Sequence, residues 1–315
     1  MEIPLEVNEL NQNAMGGTEL MAHRLQQHVD PELLDKFQII QSRSRELDPD
    51  KKKIYWLHDL PGDPEVQHLK DGGWKKYDKL VFVSHWQQSM YKAYLGVPYE
   101  AGIVLRNAIE PIEALEKPTD KLRFIYFSTP HRGLDVLYAA FNALSKQYTN
   151  IELNVFSSFN LYGWPQRDEP YQDLFKQLED HEYINYHGAV SNDRIREELQ
   201  RSHIFAYPST WQETSCLCLI EAMSAGLVCV HSSLAALPET SMNMTQMYDY
   251  TEDKNEHATR FHANLASIVE TLGDENRMPN VNSGISVMKQ FTDSLYNWKS
   301  RGDQWTFLLN SLLMD

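Results

Sequence analysis

Cysteine is scarce in this chain: Cys216, Cys218 and Cys229 are the only three in 315 residues. An odd count with no C-x-x-C pair gives no disulfide framework, and a reducing, cytoplasmic setting is the simplest expectation. Cys216 and Cys218 enter a predicted helix, where small apolar side chains serve a core better than a metal. Positive charge is also short, with 29 Lys and Arg against 44 Asp and Glu, a formal net charge of −15. A protein that coats a nucleic-acid duplex needs basic surface to neutralise phosphates, so nucleic acid is not an expected partner. A small anionic ligand stays open, because a few Arg side chains and a helix N-terminus make a local positive site. Long apolar runs are missing: none approaches the roughly 18 residues of a membrane span. The opening MEIPLEVNELNQ lacks a basic-then-apolar signal pattern. A soluble protein is expected. Peripheral membrane contact is left open, with weak support from KKK (51–53).

What is present is a rhythm. Short apolar runs alternate with helical patterns, which implies parallel sheets joined by crossover helices. GGTELMAHRLQQHV (16–29) reads as a helix opened by two glycines. KFQIIQS, KKIYWLHDL and KLVFVS read as strands, HWQQSMYKAYLG as a helix and AGIVLRNAI as a further strand and its exit. EPIEALEKPTDK (110–121), rich in Pro and charge, is the best linker. Beyond it the alternation restarts at LRFIYFS and runs through LVCVHSS, with two more helical patterns at roughly 257–272 and 284–314. The expected fold is α/β, with two Rossmann-like, doubly wound domains and an inter-domain cleft. The expected boundaries are 1–112 for a reduced N-terminal domain, 113–292 for a ligand-binding domain and 293–315 for a C-terminal helix.

Within PSTWQETSCLCLIEAMSAG (208–226), Glu213 falls in a loop beyond a strand and Glu221 in the helix that follows. In isolation, one is an ordinary solvated loop residue and the other an ordinary helical one. Their position argues otherwise, because open α/β sheets bind ligands beyond the carboxyl ends of their strands. Thr214 or Ser215 is placed to cap the helix, whose first N–H groups, near Ser215 to Leu217, suit a phosphate. At about 1.5 Å rise per residue, the two carboxylates stand on the order of 10 Å apart with those donors between them. A carboxylate accepts two hydrogen bonds from a vicinal diol. The plan therefore fits a hydroxylated ring at each end of a diphosphate, as in a nucleotide sugar.

ETSCLCLIEAMSAG followed by LVCVHSSLAALPE resembles the Glu-x7-Glu signature of the family 4 retaining glycosyltransferases, which have the GT-B fold. INYHGAVSNDRIREELQRSHIFAYPS is similar to the strand, Gly loop, short helix and strand that precede it in that family. FVSHWQQSMYKAYLGVP and IVLRNAI resemble the end of the family's first domain, with Asn107 at its usual Asn. GGTE (16–19) looks like its N-terminal glycine loop. The resemblance covers most of the chain and rests on the order and spacing of these elements together. It implies that Glu221 binds the ribose of a donor nucleotide and that Glu213 holds hydroxyls of the donor sugar. Amides of Ser215, Cys216 and Leu217 would meet sugar or phosphate, and Gly188, Ala189 and Val190 would form the loop that reads the base edge. The C-terminal helix would cross back onto the first domain.

Arg132, in FSTPHRGLD, lies between a strand end and a helix start, a poor place for a cation unless an anion is bound. It matches the basic residue of the family's Lys-Gly element and is assigned to the diphosphate. Gly16 and Gly17 open a helix whose N–H groups suit the donor phosphate, with a plain turn as the alternative. His58, after the strand in IYWLHDLPG, matches a family histidine near the donor sugar, against the alternative of a satisfied loop histidine. Asp59 and Asp63 flank it. The chain departs from the family where a Gly-Arg usually stands a few residues before the basic element: FS and TP are there instead. Only one of two familiar cations is placed, and His131 and Arg106 are the candidates for the other. DPD (48–50), ahead of KKK, reads as a solvated loop and not as a metal-binding motif.

The resemblance implies a hexosyltransferase that moves a sugar from a UDP- or GDP-type nucleotide-diphosphate sugar to a hydroxyl of a glycan, lipid or protein. Retention of anomeric configuration is implied in the same way, and neither a metal nor another cofactor is expected. The alternative is a non-catalytic nucleotide-sugar or glycan-binding protein on the same scaffold, supported by the missing Gly-Arg and the short first domain. A sugar-nucleotide epimerase or a phosphorylase is a weaker third.

Overall fold

Runs such as FQIIQ, KKIYWL and LRFIYF are dense in β-branched and aromatic side chains, which suit a sheet covered on both faces. The computed structural model describes residues 16–43 and 46–314 and contains two parallel sheets. The chain divides into two units, one of Met1–Glu110 with Leu295–Asp315 and the other of Pro111–Ser294. The sequence alone places these divisions at 112 and 292.

The first unit begins with α1 (Gly17–His28) and the single turn α2 (Pro31–Leu34), capped by Asp30. Strand β1 (Phe37–Gln41) and β2 (Lys52–Leu57) follow, then a 3-10 stretch over Pro64–Lys76. Next come β3 (Lys79–Phe82), α3 (His85–Leu95) and the short β4 (Gly102–Val104). Ser84 caps α3, its hydroxyl accepting from Gln87 N at 3.0 Å, and Gly96 closes the helix in the left-handed conformation. The strands lie in chain order, β1-β2-β3-β4. Tyr55, Leu57, Leu80, Phe82 and Tyr91 pack in the core of this unit.

The second unit opens with β5 (Leu122–Phe127), α4 (Leu134–Ser145), β6 (Ile151–Phe156), α5 (Gln172–Glu179) and β7 (Ile184–Tyr186). It continues with α6 (Asn192–Arg201), β8 (Ile204–Tyr207), α7 (Leu217–Ser224) and β9 (Val228–Ser232). The turn α8 (Leu237–Ser241), β10 (Gln246–Tyr248), α9 (Lys254–Leu272) and α10 (Met278–Leu295) complete it. The strand order is β10-β9-β8-β5-β6-β7, with Phe124 beside Ile204 and Ile125 beside Phe205 at the β5–β8 junction. The order reverses there: successive strands run one way from β5 to β7 and the other way from β8 to β10. Phe124, Leu137, Phe141, Phe205, Leu219 and Leu265 are fully buried in its core.

The tail departs from the expected single pattern over 284–314. It forms two helices, α10 and then α11 (Trp298–Met314), because Tyr296 and Asn297 are used elsewhere. The Tyr296 carbonyl accepts from Ile109 N at 2.7 Å, and Asn297 Oδ1 accepts from Ser300 N at 2.8 Å as a cap. Trp298 and Trp305, seven residues apart on α11, are both buried; Trp305 meets Trp56 edge-on at 4.8 Å and Trp298 stacks on His28 at 5.6 Å.

The expected linker has little regular structure, yet it is pinned along the second unit. Ile112 N donates to Ser224 Oγ at 2.9 Å, and Lys289 Nζ donates to the carbonyls of Ile112 and Ser224 and to Asp293. Lys117 Nζ donates to the carbonyls of Leu199 and Ala225. Lys117, whose charge reads as linker composition, is thus spent on backbone carbonyls at the ends of α6 and α7. No described helix is long and apolar enough to cross a membrane.

Candidate functional site

A reversal of strand order parts the loops at the carboxyl ends of the two strands beside it, and ligands of open α/β sheets enter there. In this chain those loops follow β5 and β8. The first, Ser128 to Gly133, is shaped by Pro130 and by Tyr126, whose hydroxyl donates to the Thr129 carbonyl at 2.8 Å. Gly133 then takes φ +95°, and a Cβ there would lie 2.1 Å from the Pro208 carbonyl oxygen in the second loop. Only glycine permits both the left-handed backbone and that approach. Thr210 Oγ1 also donates to the His131 carbonyl at 3.2 Å, so the two loops are locked side by side.

The approach brings Arg132 to Glu213. Arg132 Nη1 lies 3.0 Å from Glu213 Oε1, with the side chains 23% and 7% exposed. The same oxygen accepts from the Tyr207 hydroxyl at 2.6 Å, and the Glu213 carbonyl accepts from Ala236 N at 3.1 Å. Glu213 is therefore a fixed, buried carboxylate. Burial opposes charge on Arg132, but the carboxylate beside it holds the guanidinium well above its ordinary range and hence protonated. Burial, then Glu213, raises the Tyr207 hydroxyl, which stays a donor. Arg132 Nε is buried without a partner among the described residues, which leaves a donor beside the pair.

Glu221, 5% exposed, is met from α6. Asn192 Nδ2 and Arg196 Nη1 each lie 3.4 Å from its Oε1. The preceding loop carries Gly188 at φ +65° with open space where a Cβ would be, an exposed Ala189 and a partly buried Val190. Ser191 caps α6, accepting from Arg194 N at 3.3 Å.

The cap of α7 is not Thr214 or Ser215. Cys216 occupies that position in an extended conformation, with no side-chain cap bond, and Ile220 N makes the first intrahelical bond to its carbonyl at 3.1 Å. The donors the helix leaves for a ligand are accordingly those at its start, Leu217 and the next two residues, rather than Ser215 to Leu217. Ser215 precedes the helix in a bend, and Cys216 is buried. Cys218 Sγ donates to the Phe127 carbonyl at 3.0 Å. Among the described residues no group of three or more His, Cys, Asp or Glu is arranged to hold a metal.

His131 does not supply a second cation. Burial, helped by Arg132 and Arg167, pushes its pKa down to about 4, so the ring is neutral at pH 7. It stacks on Phe159 at 5.2 Å and meets the half-exposed Trp211 edge-on at 5.0 Å. Arg106 belongs to the first unit, where it depresses its neighbour Arg301, after burial, to about 10. The second cation beside a site glutamate is Arg196, which the sequence reading missed. Its signal was available: Asn192 and Arg196 stand i, i+4 on one face of a predicted helix.

The remaining predicted residues belong to the first unit. His58 directly follows β2, its ring 4.8 Å from that of Trp56. Burial pushes its pKa down to about 3, so it is a neutral imidazole. Asn107 is 4% exposed, and its Oδ1 has no partner among the described residues. Gly16 is the N-cap of α1, its carbonyl accepting from Leu20 N at 3.0 Å, and Gly17 is the first helical residue. Asp63 caps the 3-10 stretch by accepting from Glu65 N at 2.9 Å, and Asp59 is raised to about 6 by burial and then by Asp63.

Residues 122–265, from β5 into α9, match the family model for glycosyl transferases group 1. A phosphatidylinositol N-acetylglucosaminyltransferase component from Arabidopsis thaliana is 24% identical over 231 residues, which cover 70% of this chain and 49% of that protein. Its Homo sapiens counterpart is 23% identical over 141 residues, 43% of this chain and 28% of that protein. The chain thus spans about half the length, or less, of the curated relatives it matches. Among solved structures, a glycosyltransferase from Rickettsia africae ESF-5 superposes with TM-score 0.67 at 14% identity, covering 95% of this chain and 81% of its own. Anabaena HepE in complex with UDP-glucose gives TM-score 0.61 at 16% identity, with 83% and 72% covered. The fold is the α/β, two-sheet GT-B fold, and the stretch that the group 1 glycosyl transferase model matches, 122–265, holds the strand reversal and both glutamates.

Proposed function

We propose that this protein transfers a sugar from a nucleoside-diphosphate sugar to a hydroxyl acceptor. The observation that carries the reading is the Arg132–Glu213 pair at the reversal of strand order, inside the family-matched segment. Cleavage of a sugar–phosphate bond builds negative charge on the departing diphosphate and positive charge on the sugar. Arg132 and the start of α7 would stabilise the first. Glu213, held by Arg132 and Tyr207, would accept from the donor sugar's hydroxyls, and Glu221 from the ribose. A uridine nucleotide is the favoured donor class, since HepE is a fold neighbour in complex with UDP-glucose.

Retention of configuration follows from the Glu-x7-Glu resemblance. Glu213 is already committed to two partners, which fits a route in which the leaving phosphate oxygen, and no enzyme nucleophile, helps deprotonate the acceptor. The acceptor class, glycan, lipid or protein, belongs to the proposal only as a hydroxyl. A thermal-shift screen of UDP-, GDP- and ADP-sugars, followed by release of free nucleoside diphosphate, tests the reading. A stabilising donor whose release is lost in Glu221→Ala supports it, and no stabilisation by any of them overturns it. A binding protein without transfer is favoured by one observation, the neutral His131 in a loop that lacks the usual Gly-Arg. It predicts donor stabilisation with no release of nucleoside diphosphate.

A further inference from the structure

Glu221 is held from one helix by two donors. Asn192 Nδ2 and Arg196 Nη1 both approach its Oε1 at 3.4 Å, and the two residues stand one turn apart on the face of α6 that packs on α7. Arg196 has a second attachment, Nη2 to the carbonyl of Pro111 at 3.3 Å. Pro111 opens the second unit, and the next residue is tied to Glu221's own helix through Ile112 N and Ser224 Oγ. The guanidinium is planar, so fixing one edge on a backbone carbonyl fixes the direction in which the other edge meets the carboxylate.

We propose that Arg196, assisted by Asn192, is a positioning residue that presents the Glu221 carboxylate to the ribose hydroxyls of a nucleoside diphosphate. This rests on the role given to Glu221 above. Several rotatable bonds separate that carboxylate from the helix backbone. Holding one oxygen at two points removes freedom that a ligand would otherwise have to remove on binding. Both contacts are long for charge-assisted hydrogen bonds, which run nearer 2.7–2.9 Å. Glu213 is held more tightly, its Oε1 taking contacts at 2.6 and 3.0 Å.

Calorimetric titration with UDP and, separately, with inorganic pyrophosphate tests this, because only UDP carries a ribose. Arg196→Ala is expected to weaken UDP about tenfold and Asn192→Ala about threefold, with pyrophosphate affinity unchanged in both and Arg196→Lys recovering part of the loss. Asn192→Ala keeps the test valid if Arg196→Ala fails to fold, since the bond to Pro111 comes from Arg196. Wild-type UDP affinity in both alanine variants, with Glu221→Ala weakened, overturns the positioning role and leaves the donor site standing. Equal loss of UDP and pyrophosphate also overturns it, as a general structural effect. A wild-type protein that binds no UDP overturns the donor-site reading and this inference with it.

Discussion

The two sheets differ in one respect that decides where chemistry gathers. In the second unit strand order reverses between β5 and β8, while the described strands of the first run β1 to β4 in chain order. Where the order reverses, crossovers leave on opposite faces and the loops beyond the strands part. Arg132 and Glu213 sit on two such loops and meet at 3.0 Å. In the first unit His58 and Asn107 each hang from the end of a separate strand. In the second unit the reversal is what brings two strand-end loops, and with them a cation and a carboxylate, together.

Separating the ion pair should do the most damage. Arg132→Ala should lower donor turnover about 100-fold or more. It should also cost about 3 kcal/mol in urea unfolding, because it strands a buried carboxylate. The double variant Arg132→Met with Glu213→Leu should regain most of the stability and none of the turnover. If turnover survived in either variant, the reversal point would not be where charge is handled. In the first unit the large effect should come from packing: Trp305→Ala should cost about 3–5 kcal/mol while leaving UDP affinity unchanged at temperatures where the protein is folded.

Two glycines in the second unit probe the locked loops more finely. Gly133→Ala adds a Cβ against the Pro208 carbonyl and should cost about 3 kcal/mol or more, whereas Gly188→Ala meets open space and should cost about 1–2 kcal/mol. Equal costs would show that the loops after β5 and β8 can separate freely.

Per group, pH should act most weakly, and it crosses both units. His58, His131 and His231 have native pKa values of about 3, 4 and 4, against roughly 6.5 when unfolded. Between those values the unfolded chain binds more protons, so stability falls as pH drops below about 6.5. The loss is about 1 kcal/mol per histidine between pH 7 and 5.5. Asp59, raised to about 6, acts in the opposite direction: its native carboxyl binds the extra proton, so acidification favours the fold. Urea midpoints should fall from pH 7 to 5.5, and more steeply in Asp59→Asn. A flat profile would mean that these rings are hydrated.

Much of the framework was legible in the sequence. Alternating apolar runs located β1 to β9, and the strand–loop–helix order set Glu213 and Arg132 in loops beyond strands and Glu221 within a helix. The pairing of Arg132 with Glu213 was not legible, because it depends on β5 lying beside β8, and strand order leaves no local trace. Arg196 escaped notice because its function comes from a neighbour on another helix. The α7 cap was misplaced because Thr214 and Ser215 have the right chemistry, while it is the Cys216 carbonyl that takes the first intrahelical bond and the helix begins at Leu217. The break at Tyr296 follows from a contact with Ile109, far back in the chain.

The first unit is discontinuous in sequence, and this has a consequence for biosynthesis. A ribosome delivers Met1–Glu110 before Pro111–Ser294, yet the indole of Trp56 waits for Trp305, which emerges after both. The contiguous Pro111–Ser294 can fold as soon as it is clear of the exit tunnel. The nascent amino-terminal sheet must meanwhile hold an uncovered aromatic face, and chaperone capture during translation should concentrate there.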